Sequence, residues 1–348
     1  MLRRVMAVLT AVLLSVGTTK AQKVINGAGA TFPYPLISKW SSEYQKINPN
    51  VRINYQAIGS GGGIRQLVAG TVNFGASDAP MTEEQMADAR KAHGDVIHIP
   101  ETLGAVVVVY NLPGVTANLK FDGRTIADIY LGKISNWNDP RMKSLNPGVK
   151  LPDKRILVVH RADGSGTTYI FADYLSKVSQ EWAAKVGKST SLDWPAGIGG
   201  KGNDGVAGQV ARTPGAIGYV ELIYALQNNI SFADIRNAAG VFVHPSIPGV
   251  TQALTNAAKT LPEDLRFSIT NAPGKQSYPI SSATWFLLYK EQSEYNQAKG
   301  VLEFMRWAVT EGQKFSTNLD YAPLPANIQA LNVEKLKTVT YKGERILK

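Results

Sequence analysis

The sequence predicts an α/β protein with substantially parallel sheets, organised as two domains. Short strands alternate with amphipathic helices along the chain, a pattern typical of parallel sheets joined by crossover helices. The length of 348 residues is too great for one ordinary core and suits two domains. Hydrophobic residues make up 44% and charged residues 18%, which indicates a folded globular chain rather than a disordered one.

The first 21 residues have the composition of a secretory signal peptide. Arg3 and Arg4 supply a positive start, residues 5–16 are mostly apolar, and Ala21 ends a small-residue cleavage pattern. The apolar run is too short for a comfortable transmembrane helix, although an uncleaved N-terminal anchor is the alternative. We predict cleavage after Ala21 and export of a soluble mature protein.

Charge and cysteine content exclude several classes of protein. Loss of Arg3, Arg4 and Lys20 with the signal peptide lowers the formal net charge from +10 to +7. Lysine and arginine are scattered, without a basic block that aromatic residues interrupt, so nucleic-acid binding is not predicted. The chain has no cysteine, which excludes disulfides, a thiolate nucleophile, cysteine-ligated zinc and a lipoprotein anchor.

Two segments near the N-terminus each combine a strand, a small-residue loop and a helix. Strand residues 24–26 precede the loop 27–31, and the helix that follows has one apolar face. Strand residues 51–58 precede the glycine-rich loop 59–63 and a short helix at 64–69. The apolar face of the first helix consists of Leu36, Ile37, Trp40 and Tyr44.

A third segment repeats the pattern with an acidic residue in its loop. Strand residues 71–76 end at Ser77 and Asp78, and Thr82 begins a polar helix. Glu83 and Glu84 lie in the first turn of that helix, where negative charge is favourable.

The remaining strands place the domain boundaries. Residues 105–110 form an apolar run typical of a fully buried strand, and residues 111–114 break it. Residues 155–160 form another strand, with a helix beginning near Thr167, and residues 285–289 form a second crossing strand ahead of an amphipathic helix. We therefore predict one domain from residues 22–108 and 285–348, and a second from residues 109–284.

The loop from Arg161 to Thr167 is the strongest indication of a binding site. Gly164 and Gly166 permit tight turns, so backbone amides at the following helix N-terminus can face an anion. Ser165 and Thr167 add hydroxyl donors, and Arg161 adds a planar, permanently charged fork. We expect Asp163 to brace Arg161 through a salt bridge. The alternative is an ordinary glycine-rich turn with a Ser/Thr cap.

Loops 59–63 and 27–31 offer similar chemistry with less specificity. Ser60 and Thr31 can donate through their hydroxyl groups, and the glycines let the backbone approach a ligand closely. Either loop alone is more often a flexible turn.

Asp78 is the exception among these candidate ligands, because its side chain is acidic. A carboxylate beside an anion site makes sense if the anion carries a proton that the carboxylate accepts. Phosphate keeps at least one proton at neutral pH and sulfate has none, so a buried acceptor rejects sulfate. The alternative is that Asp78 caps the helix that follows.

Seven runs of residues together resemble the periplasmic phosphate-binding protein of the phosphate-specific ABC transporter, in the same order and over nearly the whole mature chain. The runs are Gly27–Pro33, Ile58–Gly62, Gly75–Pro80, Asp128–Ile134, Arg161–Thr167, Gly199–Gly205 and Pro214–Val220.

The resemblance implies a two-lobed fold of the type II-like periplasmic binding class, with inorganic phosphate in the cleft between the lobes. It also implies a monomeric periplasmic protein that delivers phosphate to a membrane permease and needs no metal or cofactor. The residues that match the phosphate ligands of that family are Thr31, Phe32 through its amide, Ser60, Asp78, Arg161, Ser165, Gly166 and Thr167. Gly61 stands where relatives often have serine, so a contact there must come from the backbone.

Enzymatic activity is the main alternative from another class, and the sequence does not favour it. None of the four histidines forms a pair with metal-ligand spacing, and we interpret His160 as structural. Ser165 lacks the G-x-S-x-G elbow, and Gly202 stands where a Walker A loop needs serine or threonine. A binding protein for sulfate, molybdate or arsenate, or a surface adhesion protein, also remains open; Asp78 disfavours the unprotonated anions but not arsenate.

Overall fold

The computed structural model describes residues 22–257 and 261–348. The predicted signal peptide therefore lies outside the described residues. In those two ranges, no helix combines the length and the apolar character needed to span a bilayer.

The described residues form a mixed α/β structure. The strands are β1 (Lys23–Gly29), β2 (Val51–Ala57), β3 (Phe74–Ser77), β4 (Val96–Tyr110), β5 (Lys120–Phe121), β6 (Leu157–Arg161), β7 (Ile198–Gly200), β8 (Ala216–Glu221), β9 (Ser231–Phe232), β10 (Asp234–Arg236), β11 (Phe242–Val243), β12 (Ser281–Tyr289), β13 (Glu291–Gln292), β14 (Thr340–Tyr341) and β15 (Glu344–Arg345).

The helices are α1 (Tyr34–Ile47), α2 (Ser60–Val68), α3 (Glu83–Ala92), α4 (Gly123–Tyr130), α5 (Pro140–Leu145), α6 (Gly166–Val178), α7 (Gln180–Lys185), α8 (Gly202–Arg212), α9 (Leu222–Gln227), α10 (Ile247–Ala257), α11 (Tyr295–Val309) and α12 (Ala326–Leu336). Two 3₁₀ helices cover Glu311–Phe315 and Thr317–Leu319.

A long sheet runs through the molecule in the strand order β2-β1-β3-β12-β4-β8-β6-β7, and β9 pairs with β4 on the edge opposite β8. β1 pairs in parallel with β2 and β3, and β6 pairs in parallel with β7 and β8. β12 and β4 are antiparallel to each other and join the two parallel sets. The prediction of parallel strands is thus correct within each set, while the junction between them is antiparallel.

Strand β4 connects the two lobes because it changes its partner along its length. Residues 96–105 pair with β12, and residues 106–110 pair with β8. The exchange lies just before the boundary that we predict at residues 108 and 109. The domain limits themselves stay a prediction.

Several elements differ from the sequence expectations at their starts. α2 begins at Ser60 rather than Ile64, because its glycines let the first turn lie directly on β1: a Cβ at Gly63 would come 2.4 Å from the Cα of Gly29. β3 begins at Phe74 rather than Thr71. β4 begins at Val96, so the apolar run 105–110 covers only the last part of the strand.

The core contains the residues that the helical periodicity predicts. Leu36, Ile37, Trp40 and Tyr44 are buried on α1. Thr82 caps α3 through a reciprocal hydrogen-bond pair with Gln85, which confirms the predicted start of that helix.

Candidate anion-binding site

The predicted binding residues meet where strands end and helices begin. Thr31 follows β1, Ser60 begins α2, and Asp78 follows β3, whereas Arg161 ends β6 ahead of the N-terminus of α6. All four residues are buried, with exposed fractions of 4% or less. The fold therefore brings loops from both parallel strand sets into one site that water does not reach.

Arg161 is held in a fixed orientation by Asp163. Its Nε lies 2.8 Å from Asp163 Oδ1, and its Nη2 lies 2.6 Å from Oδ2, which is the two-pronged geometry that suits guanidinium and carboxylate. The Gly202 amide also donates to Asp163 Oδ1 at 3.0 Å. Burial acts to raise the pKa of Asp163, but the hydrogen bonds and charge of Arg161 outweigh it and the net shift is downward.

Ser60 bridges the two sides of the site. Its Oγ accepts hydrogen bonds from the amides of Asp78 at 3.2 Å and Gly166 at 3.1 Å. A serine hydroxyl has two acceptor positions and one proton, so these bonds leave the proton available to donate. Gly166 permits the contact because a Cβ there would stand 2.5 Å from Ser60 Oγ and 2.7 Å from the Asp78 amide nitrogen.

The N-terminus of α6 adds two hydroxyl groups to the site. Ser165 is the N-cap, and its Oγ accepts from the Thr168 amide at 3.0 Å. The Thr167 hydroxyl lies 3.3 Å from Asp78 Oδ2 and 3.4 Å from Arg161 Nη1. This N-terminus carries the positive end of the helix dipole, so it favours an anion beside Arg161.

Asn203 is a site residue that the sequence reasoning did not select. It is fully buried, and its backbone amide and Nδ2 donate to Thr31 Oγ1 at 3.2 and 2.8 Å. Its Nδ2 also donates to Thr167 Oγ1 at 3.1 Å. Asn203 thus fixes two of the predicted hydroxyl donors, one from each side. The sequence did offer one indication of its role, because Asn203 lies in the Gly199–Gly205 run that resembles the phosphate-binding family.

Phe32 contributes through its backbone. Its side chain is fully buried, and its carbonyl accepts from the Tyr321 hydroxyl at 2.5 Å. Among the described residues, the Phe32 amide has no protein acceptor. The amide is therefore a donor that the fold leaves free beside Thr31.

Gly61 is the position where any contact with a ligand must come from the backbone. Its amide donates to the Gly164 carbonyl at 2.9 Å, so that group is already used. A Cβ at this position would lie 3.1 Å from the Cα of Gly164, which explains why a glycine suits the close approach of the two loops.

Asp78 is an acceptor among these donors. Its Oδ1 accepts from Thr284 Oγ1 at 3.1 Å. Burial raises the pKa of Asp78 to about 7, against the opposing effects of the Arg161 charge and the hydrogen bonds from Thr284 and Thr167. Several fixed donors and one buried carboxylate together suit a tetrahedral oxyanion that carries a proton.

The histidine next to this site has a packing role. The His160 ring stacks on Trp194 with the ring centroids 4.7 Å apart, and its Nδ1 lies 3.1 Å from its neighbour's carbonyl oxygen. Burial lowers the pKa of His160. Within residues 22–257 and 261–348, no group of three or more acidic or histidine side chains could hold a metal ion.

Comparison with known proteins gives a consistent set of relatives. A family model described as a PBP superfamily domain matches residues 15–311. The phosphate-binding protein PstS of Xylella fastidiosa strain 9a5c is 48% identical over 311 residues, covering 89% of this chain and 84% of the relative. The PstS protein of Pasteurella multocida is 46% identical over 325 residues, with 92% of each chain covered.

Solved structures share the fold at lower identity. A phosphate-binding protein from Stenotrophomonas maltophilia has a TM-score of 0.68 at 16% identity, covering 90% of this chain and 93% of its own. A human phosphate-binding apolipoprotein has a TM-score of 0.71 at 20% identity, covering 88% and 92%. These likenesses establish a two-lobed binding-protein fold.

Proposed function

Because this chain belongs to the PstS family of phosphate-binding proteins, we propose that it binds inorganic phosphate between its lobes and delivers it to an ABC-transporter permease. We propose that it acts as a monomer in the periplasm, without a cofactor, a metal or catalysis. The observation that carries the proposal is the buried carboxylate of Asp78 among fixed donors from both strand sets.

The donors of the proposed site surround the anion from both lobes. Arg161 supplies the positive charge, and the helix α6 N-terminus supports it. The hydroxyl groups of Ser60 and Thr31 each accept amide hydrogen bonds, an arrangement that leaves their protons for the ligand. The full set of proposed ligands is Thr31, Phe32, Ser60, Asp78, Arg161, Ser165, Gly166 and Thr167, with Asp163 in support.

Asp78 provides the selection among anions. A phosphate proton can donate to its carboxylate, whereas sulfate brings an oxygen without a proton against the same group. Two buried acceptor oxygens then face each other without a hydrogen between them. This arrangement strongly lowers the affinity for sulfate in a site from which water is excluded. Arsenate has the protons and charge of phosphate, so this mechanism does not separate the two.

The contacts across the site describe a closed form. Thr31 on one side bonds Asn203 on the other, and Ser60 bonds Gly166 across the same gap. An anion that touches both sides has higher affinity for this form than for one with separated lobes, so binding favours closure. Micromolar capture needs about −8 kcal/mol, which a few charge-assisted hydrogen bonds supply after desolvation costs.

The alternative of a hydrolase is not favoured by the geometry. Ser165 is used as a helix cap, and His160 is stacked on Trp194, so these two side chains do not form a nucleophile and base.

The test is calorimetric titration of the mature chain, stripped of bound ligand, with phosphate, sulfate and arsenate at about pH 8, where Asp78, with its pKa of about 7, is mostly ionised. We expect one phosphate per chain, arsenate competing with it, and no sulfate response. Equal binding of phosphate and sulfate would leave an anion receptor without the Asp78 mechanism. No binding of any of the three would overturn the proposed function.

A further inference from the structure

A second buried carboxyl group stands behind Asp78. Glu101 lies on β4 with no exposed surface. The pairing of β4 with β12 shifts at this point, because Thr284 is opposite Thr102 and Trp285 is opposite Pro100. Glu101 is therefore the extra residue of a β-bulge. Bulges next to functional sites commonly redirect a side chain.

Thr284 links the two carboxyl groups. Its Oγ1 lies 3.1 Å from Asp78 Oδ1, 3.1 Å from Glu101 Oε1 and 3.3 Å from the Ser77 carbonyl oxygen. The hydroxyl has a single proton and can donate to only one of these oxygens at a time. If both carboxyl groups were ionised, one of them would face Thr284 without a hydrogen.

Glu101 lacks the partners that an ionised carboxylate needs. Its Oε2 is buried without a hydrogen-bond partner, and no basic side chain among the described residues donates to either oxygen. Burial raises the pKa of Glu101 well above its usual range; the Thr284 hydrogen bond opposes this rise, and the charge of Asp78 adds to it. Asp78, in contrast, has Arg161 nearby. Of the two carboxyl groups, Glu101 is therefore the protonated one and Asp78 the ionised one.

We propose that Glu101 is a positioning residue for anion selection, which donates to Thr284 Oγ1 and so directs the Thr284 proton to Asp78 Oδ1. With Oδ1 satisfied in this way, Asp78 stays an acceptor. Its Oδ2 accepts from the Thr167 hydroxyl at 3.3 Å and has a second acceptor position for the proton of the bound anion. The order of donation runs from Glu101 through Thr284 to Asp78. This inference rests on the proposed function of the site.

Loss of the Glu101 donor has a defined consequence. The Thr284 proton is then free to bond the Ser77 carbonyl, and Asp78 loses a hydrogen bond that stabilises its ionised form. A protonated Asp78 donates instead of accepting, so it no longer rejects an anion without a proton. The loss should therefore reduce selectivity as well as affinity.

The test compares E101Q, E101L and T284V with the parent by titration with phosphate and with sulfate at one pH. We expect E101L and T284V each to weaken phosphate binding by about tenfold. We also expect each to lower the ratio of phosphate affinity to sulfate affinity. E101Q keeps a donor and should lose less affinity and less selectivity than E101L. The double variant E101L/T284V should bind phosphate about as well as the weaker single variant, because both act through one hydroxyl group.

Two outcomes would overturn the inference while leaving the proposed function in place. In the first, the parent prefers phosphate over sulfate, and E101L is folded by circular dichroism and shows the same preference. The other is full additivity in E101L/T284V. A parent that binds no phosphate would instead remove the proposed function and this inference with it.

Infrared spectroscopy provides a measurement that does not depend on the leucine variant folding. At about pH 8, the difference spectrum of parent minus E101Q should show the carbonyl band of a buried protonated carboxyl group. Burial also raises the pKa of Glu221, but its band is common to both proteins and cancels. A parent spectrum identical to that of E101Q in this region would show that Glu101 is ionised, contrary to the proposal.

Discussion

Arg161 is the only cation that contacts the site hydroxyls among the described residues, and Asp163 prevents it from turning away. We predict that Arg161→Ala weakens phosphate binding by at least about tenfold, because it removes a charge-assisted donor and leaves Asp163 unpaired. Titration calorimetry measures the effect. Arg141→Ala is the matched control, since Arg141 is partly exposed and pairs with Asp128 and Asp139 elsewhere. Equal affinities of parent and R161A would remove Arg161 from the site.

Asp78 should make sulfate binding depend on pH. Its pKa of about 7 means that it is mostly ionised above neutrality and mostly protonated below it. A protonated Asp78 can donate to sulfate, so we predict that sulfate affinity rises as the pH falls from about 8 to about 5. Asp78→Asn is neutral throughout this range, and its sulfate affinity should stay constant. Sulfate titrations of the parent and of the Asp78→Asn variant across this pH range provide the test. The same pH dependence of sulfate affinity in both proteins would contradict the prediction.

The local sequence was sufficient to identify the donors that sit in glycine-rich or helix-start loops. Arg161, Thr167 and Ser60 belong to segments whose composition alone predicts close backbone approach and free amides. Thr284 and Glu101 lie within strands, where a hydroxyl or a carboxyl gives no local sign of function. Their role arises from pairing between distant strands and from a one-residue bulge, and neither can be deduced from neighbours in the sequence.

At the scale of elements, the N-terminus of α6 must approach α2 and the end of β3 without a side chain between them. We predict that Gly166→Ala weakens phosphate binding by at least about tenfold, because its Cβ would collide with Ser60 Oγ and the Asp78 backbone. Gly208→Ala on α8 is the control: its Cβ would meet only the end of the Arg212 side chain, at 3.4 Å. That change should stabilise the protein by up to about 1 kcal/mol. Normal binding by G166A would mean that the closed form tolerates wider spacing.

Strand β4 shows where a periodicity argument fails. Residues 105–110 are a continuous apolar run and were predictable, whereas residues 96–104 include His98, Pro100, Glu101 and Thr102. All nine of these earlier residues are nevertheless buried. Two groups in this part of the strand bond to distant parts of the chain: His98 accepts from the Met81 amide, and the Pro100 carbonyl accepts from Asn332. Such tertiary hydrogen bonds are invisible in a strand pattern.

At the scale of the whole molecule, phosphate should stabilise the closed form against both opening and unfolding. At a free phosphate concentration one hundred times Kd, we predict about 2.7 kcal/mol of added stability, because the ligand binds only the folded chain. Thermal unfolding measures the shift, and R161A should show a smaller one at the same concentration. Solution scattering should show a smaller radius of gyration with phosphate than after its removal. An unchanged radius would mean that the lobes do not separate.

The α/β architecture could be predicted from the sequence, because alternating strands and helices are typical of sets of parallel strands. The antiparallel junction could not, since β4 and β12 are far apart in sequence and their apolar runs carry no direction. The two crossings between the lobes were predicted from the apolar runs 105–110 and 285–289, and the resemblance to a known family agrees with them.

The same junction dictates an order of assembly. Residues 96–105 of β4 pair with β12, about half the chain further on, whereas β6, β7 and β8 are all complete by Glu221. As the polypeptide emerges from its N-terminus, one lobe can gather its strands early, while the other holds a hydrophobic edge without a neighbour until residues 281–289 arrive. Pairing over such a distance is slow, and the waiting edge is prone to aggregate. The strand that unites the finished protein is thus the one that most needs protection during its synthesis.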